Sequence, residues 1–254
     1  MRFSFILSSL TLLALLAGCT AQNAAPPPAG GGKHVDAATA GVVTGRATFA
    51  GSPPTREPMK MAADPVCIVG NSPNPQSDVA LVGKSGELQN VFVYVKDGLD
   101  PSYTFDAPTE AVTLNQKGCR YAPRVLGIRA GQPLEIVNDD QTAHNVHALP
   151  RSNQEFNRME QIQGSRMTHT FTVPEVMLRF KCDIHGWMAA YVGVMAHPYF
   201  AVTDADGAFT LKGLPPGTYT IEAWHEKFGT QTQHVTVGSS QTQAIAFTFA
   251  ATKS

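Results

Sequence analysis

Cys182, His185 and Met188 fall at intervals of three and place a thiol, an imidazole and a thioether within one short stretch. They follow Met177-Leu178-Arg179-Phe180-Lys181, which reads as a strand. Alternate side chains of a strand share a face, so Leu178, Phe180 and Cys182 point the same way. The sulfur then ends a column of core residues, and the loop before the next expected strand, Ala190–Met195, offers its donors from one side. These are ligand types of a copper electron-transfer site, in which two histidines and a cysteine lie roughly trigonal and methionine is a weak axial ligand. Such a site needs a second imidazole. The strand Leu134–Asn138 runs on through Asp139-Asp140-Gln141-Thr142-Ala143-His144-Asn145-Val146-His147, which supplies two candidates. Zinc also accepts a Cys/His2 set, but a thioether in fourth place favours copper. No Cys-x-x-Cys-His occurs, which excludes covalent haem of that type.

The elements that must hold these residues are strands. From residue 42 onward, short alternating or β-branched runs are separated by Gly, Pro, Asn and Asp. Candidate strands are Val42–Phe49, Asn90–Val95, Ala111–Leu114, Leu134–Val137, Thr168–Val173, Met177–Cys182, Ala190–Met195, Ala208–Leu211, Tyr219–Trp224 and Ala244–Phe249. Many short strands with turn signals between them predict an all-β fold of sandwiches. Asn153–Gln163 is the one stretch expected to hold a helical turn or two. The chain has 254 residues, 43% of them hydrophobic and 15% charged, which excludes a disordered charged tail protein and suffices for one or two domains. With 19 basic and 20 acidic residues it lacks the cationic excess that nucleic acid requires.

The span Ala111–Met195 resembles the cupredoxins, and their amicyanin branch most closely. Tyr121 through Asn138, with its Gly131 turn, is similar to that branch's strand–turn–strand. Ala143-His144-Asn145-Val146-His147 is similar to the segment around its upstream copper histidine, and Cys182-x-x-His185-x-x-Met188 matches its ligand loop in spacing. Gly186 stands where that loop has proline. The resemblance implies a Greek-key cupredoxin sandwich holding one type 1 copper on His144, Cys182, His185 and axial Met188. It also implies that the backbone N–H of Asn145 steadies the thiolate, a contact that tunes geometry and potential. His147, three residues on along a strand, is expected to face away from His144. His185 is expected near the surface, where electrons enter or leave, with Trp187 at that rim.

Residues 1–18 resemble a lipoprotein signal peptide: Arg2, an apolar run, then Leu16-Ala17-Gly18 before Cys19. This implies lipidation of Cys19 and anchoring in the cell envelope on the periplasmic side, in the outer membrane rather than the inner because Thr20 follows. Residues 19–41 are Ala-, Pro- and Gly-rich and read as a flexible tether. With Cys19 given to lipid and Cys182 to copper, Cys67 and Cys119 remain, to pair as a disulfide or to stand as separate buried thiols. Val202–Ala223, with turns at Asp206-Gly207 and Pro215-Pro216-Gly217, resembles the carboxypeptidase regulatory-like, or transthyretin-like, β-sandwich. The expected organisation is discontinuous: 42–110 and 197–254 form this second sandwich, and 111–196 form the inserted cupredoxin. That second sandwich offers no catalytic set, and the chain is not expected to be an enzyme. The expected activity is single-electron transfer with a redox protein partner, for example a c-type cytochrome or a periplasmic dehydrogenase. The alternatives are copper storage or delivery, or binding of an envelope partner with non-redox metal. His197 and His225 are candidates for a second metal site.

Overall fold

The computed structural model describes residues 32–251. The expected signal segment 1–18, the lipidation site Cys19 and the first part of the tether lie outside them. β1 (Gly41–Phe49) and β2 (Phe92–Asp97) are separated by a long connection that carries a 3-10 turn (Met61–Ala63) and the short helix α1 (Pro65–Val69). Nine strands follow: β3 (Val112–Gln116), β4 (Tyr121–Ala122), β5 (Val125–Arg129), β6 (Pro133–Asn138), β7 (His144–Leu149), β8 (Phe156–Glu160), β9 (Arg166–Thr170), β10 (Glu175–Lys181) and β11 (Ala189–Met195). The chain closes with β12 (Phe200–Val202), β13 (Ala208–Leu214), β14 (Gly217–His225), β15 (Gly229–Val237) and β16 (Thr242–Phe249). The fold is all-β, as the period-2 patterning implies.

Four sheets form two sandwiches. In one, the sheet β13-β1-β16 faces the sheet β12-β2-β14-β15, and Val43, Phe49, Val93, Phe209, Ile221 and Phe247 fill the space between. In the other, β4-β3-β6-β9 faces β5-β11-β10-β7-β8, around Leu114, Ile128, Ile136, Val146, Phe171 and Phe180. β1 and β2 thus pair only with strands from β12 onward, and β3 to β11 pair among themselves. A third cluster, Phe92, Tyr94, Val125 and Met195, joins the outer face of β2 to β5 and β11. Gly127 and Gly193 permit that joint, because a Cβ at either would sit within 2.8 Å or 2.3 Å of the Phe92 ring.

β12 and β15 are strands that the sequence expectation did not include, and two further stretches differ from it. Asn153–Gln163 is not helical: β8 pairs antiparallel with β7 at the edge of its sheet. Most of its side chains meet solvent, which erases the alternation that identifies a strand. Residues 33–40, placed in the tether by composition, are docked. The Lys33 N–H donates to the Ser102 carbonyl (2.9 Å), and the Ser240 N–H donates to the Thr39 carbonyl (2.9 Å).

His225 ends β14 with 1% of its surface exposed. Its ring stacks on Phe228, 4.6 Å away, and its Nδ1 accepts the Lys227 N–H (3.1 Å). Burial, then the charges of Arg124 and Lys227, push its pKa down to about 4. The unfolded chain takes up a proton as pH falls through about 6.5, while the folded chain waits until about 4. This stability contribution is complete above the unfolded value and is lost on acidification, by about 2 kcal/mol at pH 5. In urea unfolding, His225→Phe should lose about 2 kcal/mol less than the wild type between pH 7.5 and 5; an unchanged pH profile contradicts this.

Candidate metal centre

β10 carries its apolar face, Leu178 and Phe180, straight into Cys182. The loop after Cys182 doubles back on itself. The Met188 N–H donates to the His185 carbonyl (2.9 Å), and the Cys182 N–H reaches the Met188 carbonyl at 3.4 Å. This turn sets the His185 N–H 3.4 Å from Cys182 Sγ. The Asn145 N–H, from the neighbouring strand β7, lies 3.4 Å from the same sulfur. The Asn145 side-chain oxygen also accepts the Asp183 N–H (2.5 Å), tying β7 to the loop. Tyr121 binds the two strands together, its hydroxyl donating to the carbonyls of Asn145 (2.6 Å) and Lys181 (3.2 Å).

His144 opens β7 and points at the same space. Its Nδ1 is 3.0 Å from His185 Nδ1, and His185 Nδ1 is 3.8 Å from Cys182 Sγ. The three donor atoms lie within 4.8 Å of one another. His144 is 0% exposed, Cys182 2%, His185 3% and Met188 1%. Met188 packs in the same apolar cluster as Cys182. His147 points outward instead, with one ring nitrogen 2.9 Å from Asp183 and the other 2.9 Å from Glu155.

The outer nitrogens of the inward-facing imidazoles meet carboxylates. His144 Nε2 is 2.8 Å from Asp140 Oδ2, and His185 Nε2 is 3.3 Å from Asp64 Oδ2. An ionised carboxylate only accepts hydrogen bonds, so each Nε2 carries a proton and Nδ1 is the nitrogen that each ring turns inward. Two inward-facing Nδ1 atoms at 3.0 Å with a sulfur beside them, closed to water, favour a positive charge between them. A proton meets that demand in part. Burial opposes charge on His144, but Asp140 and Cys182 outweigh it and raise its pKa to about 9. Burial and the neighbouring His144 charge lower that of His185. Burial raises the Cys182 thiol, but His144 and the Asn145 and His185 N–H groups outweigh it and bring it down. The donor set, two imidazoles and a readily ionised thiol with a thioether in the same cluster, fits copper.

His185 does not form the exposed edge expected of it. The reason is the connection between β1 and β2. Cys67 and Cys119 are disulfide-bonded, with sulfurs 1.99 Å apart, and the bond holds α1 over the ligand loop. Cys67 Sγ lies 3.7 Å from His185 Nε2. Asn71 secures the cover by donating to the carbonyls of Cys67 and Gly118, each at 2.8 Å. Trp187 is half-buried, its ring 5.1 Å from that of His185 and its Nε1 donating to the Cys119 carbonyl (2.9 Å). The sequence reading missed this cover and with it Asp64 and Asp140. The available signal was Asp64-Pro65, a helix N-cap followed by proline at the first helical position. Among the described residues, His197 and His225 are not gathered into a metal group. His197 Nε2 donates to the Val95 carbonyl (2.9 Å), and its Nδ1 accepts the Tyr199 N–H (3.3 Å).

Residues 189–250 match the carboxypeptidase regulatory-like domain family. No curated protein sequence matches the chain. Among solved structures, a copper-containing nitrite reductase from Thermus scotoductus SA-01 is similar at 26% identity over 34% of this chain and 22% of its own, with a TM-score of 0.32. A purple cupredoxin from Nitrosopumilus maritimus is similar at 23% identity over 33% of this chain and 98% of its own, with a TM-score of 0.29. The Cu(I) form of an amicyanin variant is similar at 18% identity over 41% of this chain and 98% of its own, with a TM-score of 0.31.

The disulfide closes a sequence separation of 52 residues, a constraint worth about 4 kcal/mol through the unfolded chain. Replacing Cys67 and Cys119 together by serine should lower the stability measured by urea unfolding by up to about that amount. Hydrogen exchange should rise most in residues 61–71; uniform exchange with unchanged stability contradicts the role given to the bond.

Proposed function

We propose that this chain is a type 1 copper protein that passes single electrons at the bacterial cell envelope, anchored through lipid on Cys19. Residues 111–196 are the copper-bearing sandwich, and the segments on either side, 42–110 and 197–254, form one transthyretin-like sandwich. The observation that carries the reading is the convergence of His144 Nδ1, His185 Nδ1 and Cys182 Sγ in one water-excluded space. His144, His185 and Cys182 would hold the metal, with Met188 beside them as the weak axial donor. Copper bound there supplies a one-electron couple, Cu(II)/Cu(I).

The chain's own groups keep that space fixed. The Asn145 and His185 N–H groups point at the sulfur and favour its ionised form. The β7–β10 pairing and the Tyr121 hydroxyl prevent the two ligand segments from drifting apart. The apolar wall of Phe180, Leu178 and Val146 excludes water. A scaffold that holds its donors without help from the metal needs little rearrangement when the charge at the centre changes. The partner is a redox protein. It meets an end of the sandwich where Ile184 of the ligand loop and Ile68 and Val69 of α1 are exposed apolar side chains.

The cover over His185 favours a second reading, copper storage or delivery without redox turnover, since the edge through which small copper proteins exchange electrons is closed. One experiment separates the two. Residues 32–254 loaded with Cu(II) should show an intense visible charge-transfer band that Cys182→Ala abolishes and that mild reductant bleaches reversibly. A band that does not recover on reoxidation supports storage. Absence of colour, or colour independent of Cys182, rejects the copper–thiolate assignment.

A further inference from the structure

Beyond the donors themselves, each of the two imidazoles is backed by its own carboxylate, and each carboxylate is itself locked. Asp140 accepts the backbone N–H groups of Gly118 (2.7 Å) and Cys119 (2.8 Å) in addition to His144 Nε2. Those two consecutive residues have positive φ, +61° and +54°, which turns successive N–H groups toward one anion. Such a conformation is unfavourable for a residue with a side chain. At Cys119 it is held by the disulfide to Cys67 and by the hydrogen bond from Trp187 to its carbonyl. Asp64 caps α1, its Oδ1 accepting the Val66 N–H (2.9 Å), and its Oδ2 accepts the Thr142 hydroxyl (2.7 Å) as well as facing His185. The same disulfide ties α1 to the Gly118-Cys119 turn, so one covalent bond supports the segment bearing Asp64 and the turn that grips Asp140.

We propose that Asp64 and Asp140 are a pair of positioning residues that fix the His144 and His185 tautomers and bias the metal centre toward its oxidised state. The inference deepens the copper reading and rests on it. Two mechanisms act together. Each carboxylate pins an Nε2–H, which leaves Nδ1 as the only free donor and fixes the plane of its ring. Each also places a negative charge one imidazole away from the centre, where the more positive of two redox states gains more from it. In a buried setting that attraction is weakly screened by salt. Other acidic groups near the ligand loop are differently committed. Asp183 is engaged by Lys181, His147 and Asn157 on the outer face.

The test is a redox titration of copper-loaded protein followed by its visible band, comparing wild type with Asp64→Asn, Asp140→Asn and the exposed-turn control Asp206→Asn. At a fixed potential, each of the first two substitutions should lower the Cu(II)/Cu(I) ratio about tenfold, a rise of about 59 mV for a one-electron couple. Asp206→Asn should change it less than twofold. Nitrogen-15 NMR of wild-type Cu(I) protein should also show Nε2–H on both His144 and His185 with slow solvent exchange. The exchange should quicken at His185 in Asp64→Asn and at His144 in Asp140→Asn. Unshifted potentials in folded, coloured variants, or rapidly exchanging Nε2–H groups in the wild type, overturn the assignment. If Asp140→Asn does not fold, Asp64→Asn and the wild-type NMR decide it. A wild type without a copper–thiolate band refutes the copper reading itself, an outcome distinct from failure of this inference.

Discussion

Everything at this site follows from holding two imidazole nitrogens 3.0 Å apart beside a sulfur in a space that water does not reach. Without a positive charge between them the lone pairs repel, and with one they become ligands. Such an arrangement is costly to preserve in a flexible chain and natural in a sandwich whose facing sheets are clamped by a packed core. β7 and β10 are hydrogen-bonded neighbours, and each delivers its donor at a strand end. The donors therefore inherit the rigidity of the sheet rather than the mobility of a loop. His185 and Met188, which do lie in a loop, are returned to the sheet by the backbone bonds that close it.

The second organising feature is the cover. In chain order, residues 61–71 belong between β1 and β2, whose pairings lie in the other sandwich, yet they rest on the ligand loop. The disulfide, the Asn71 bridge and the close approach of Gly70 to Gly118 hold them there. A Cβ on Gly118 would lie 3.2 Å from the Gly70 carbonyl oxygen, at a φ of +61° that other residues avoid. Arg120 adds an ion pair to Asp78 farther along the same connection. Besides the Arg124–Glu226 ion pair and the hydrogen bond from Arg129 to the Phe105 carbonyl, the two sandwiches are joined by the apolar Phe92 cluster and by this strap. The cluster is a packing joint; the strap brings the Asp64 carboxylate to His185. The sandwich built from β1, β2 and β12 to β16 therefore contributes through its connecting segment to the environment of the candidate centre.

Much of the all-β fold was legible, because strands with one face in a core alternate and strands at the centre of a sheet run apolar throughout. Val42–Phe49, Leu134–Val137 and Ala190–Met195 show this directly, and each coincides with most of an observed strand. β8 and β15 were not legible, since most of their side chains meet solvent and backbone pairing alone makes them strands. Cys182, His185 and Met188 could be grouped because short spacing places them in one loop. His144 could be added because a known pattern links it to them. Asp64 and Asp140 could not be found this way. Their role arises from hydrogen bonds across 121 and 4 residues of separation, and aspartate at a helix cap or in a turn is ordinary in any sequence. The burial of His185 was hidden for the same reason, since nothing local to its loop announces a cover that arrives from far upstream.

The central claim is that His144, His185 and Cys182 hold one copper ion together. Copper-edge X-ray absorption of the loaded protein tests this most directly, because it counts scatterers by element around the metal. The account predicts one short copper–sulfur distance and two copper–imidazole distances. Cys182→Ala should abolish the sulfur scattering, and His144→Ala should remove one imidazole. A coordination shell of nitrogen and oxygen alone, or one unchanged by removing Cys182, would contradict it.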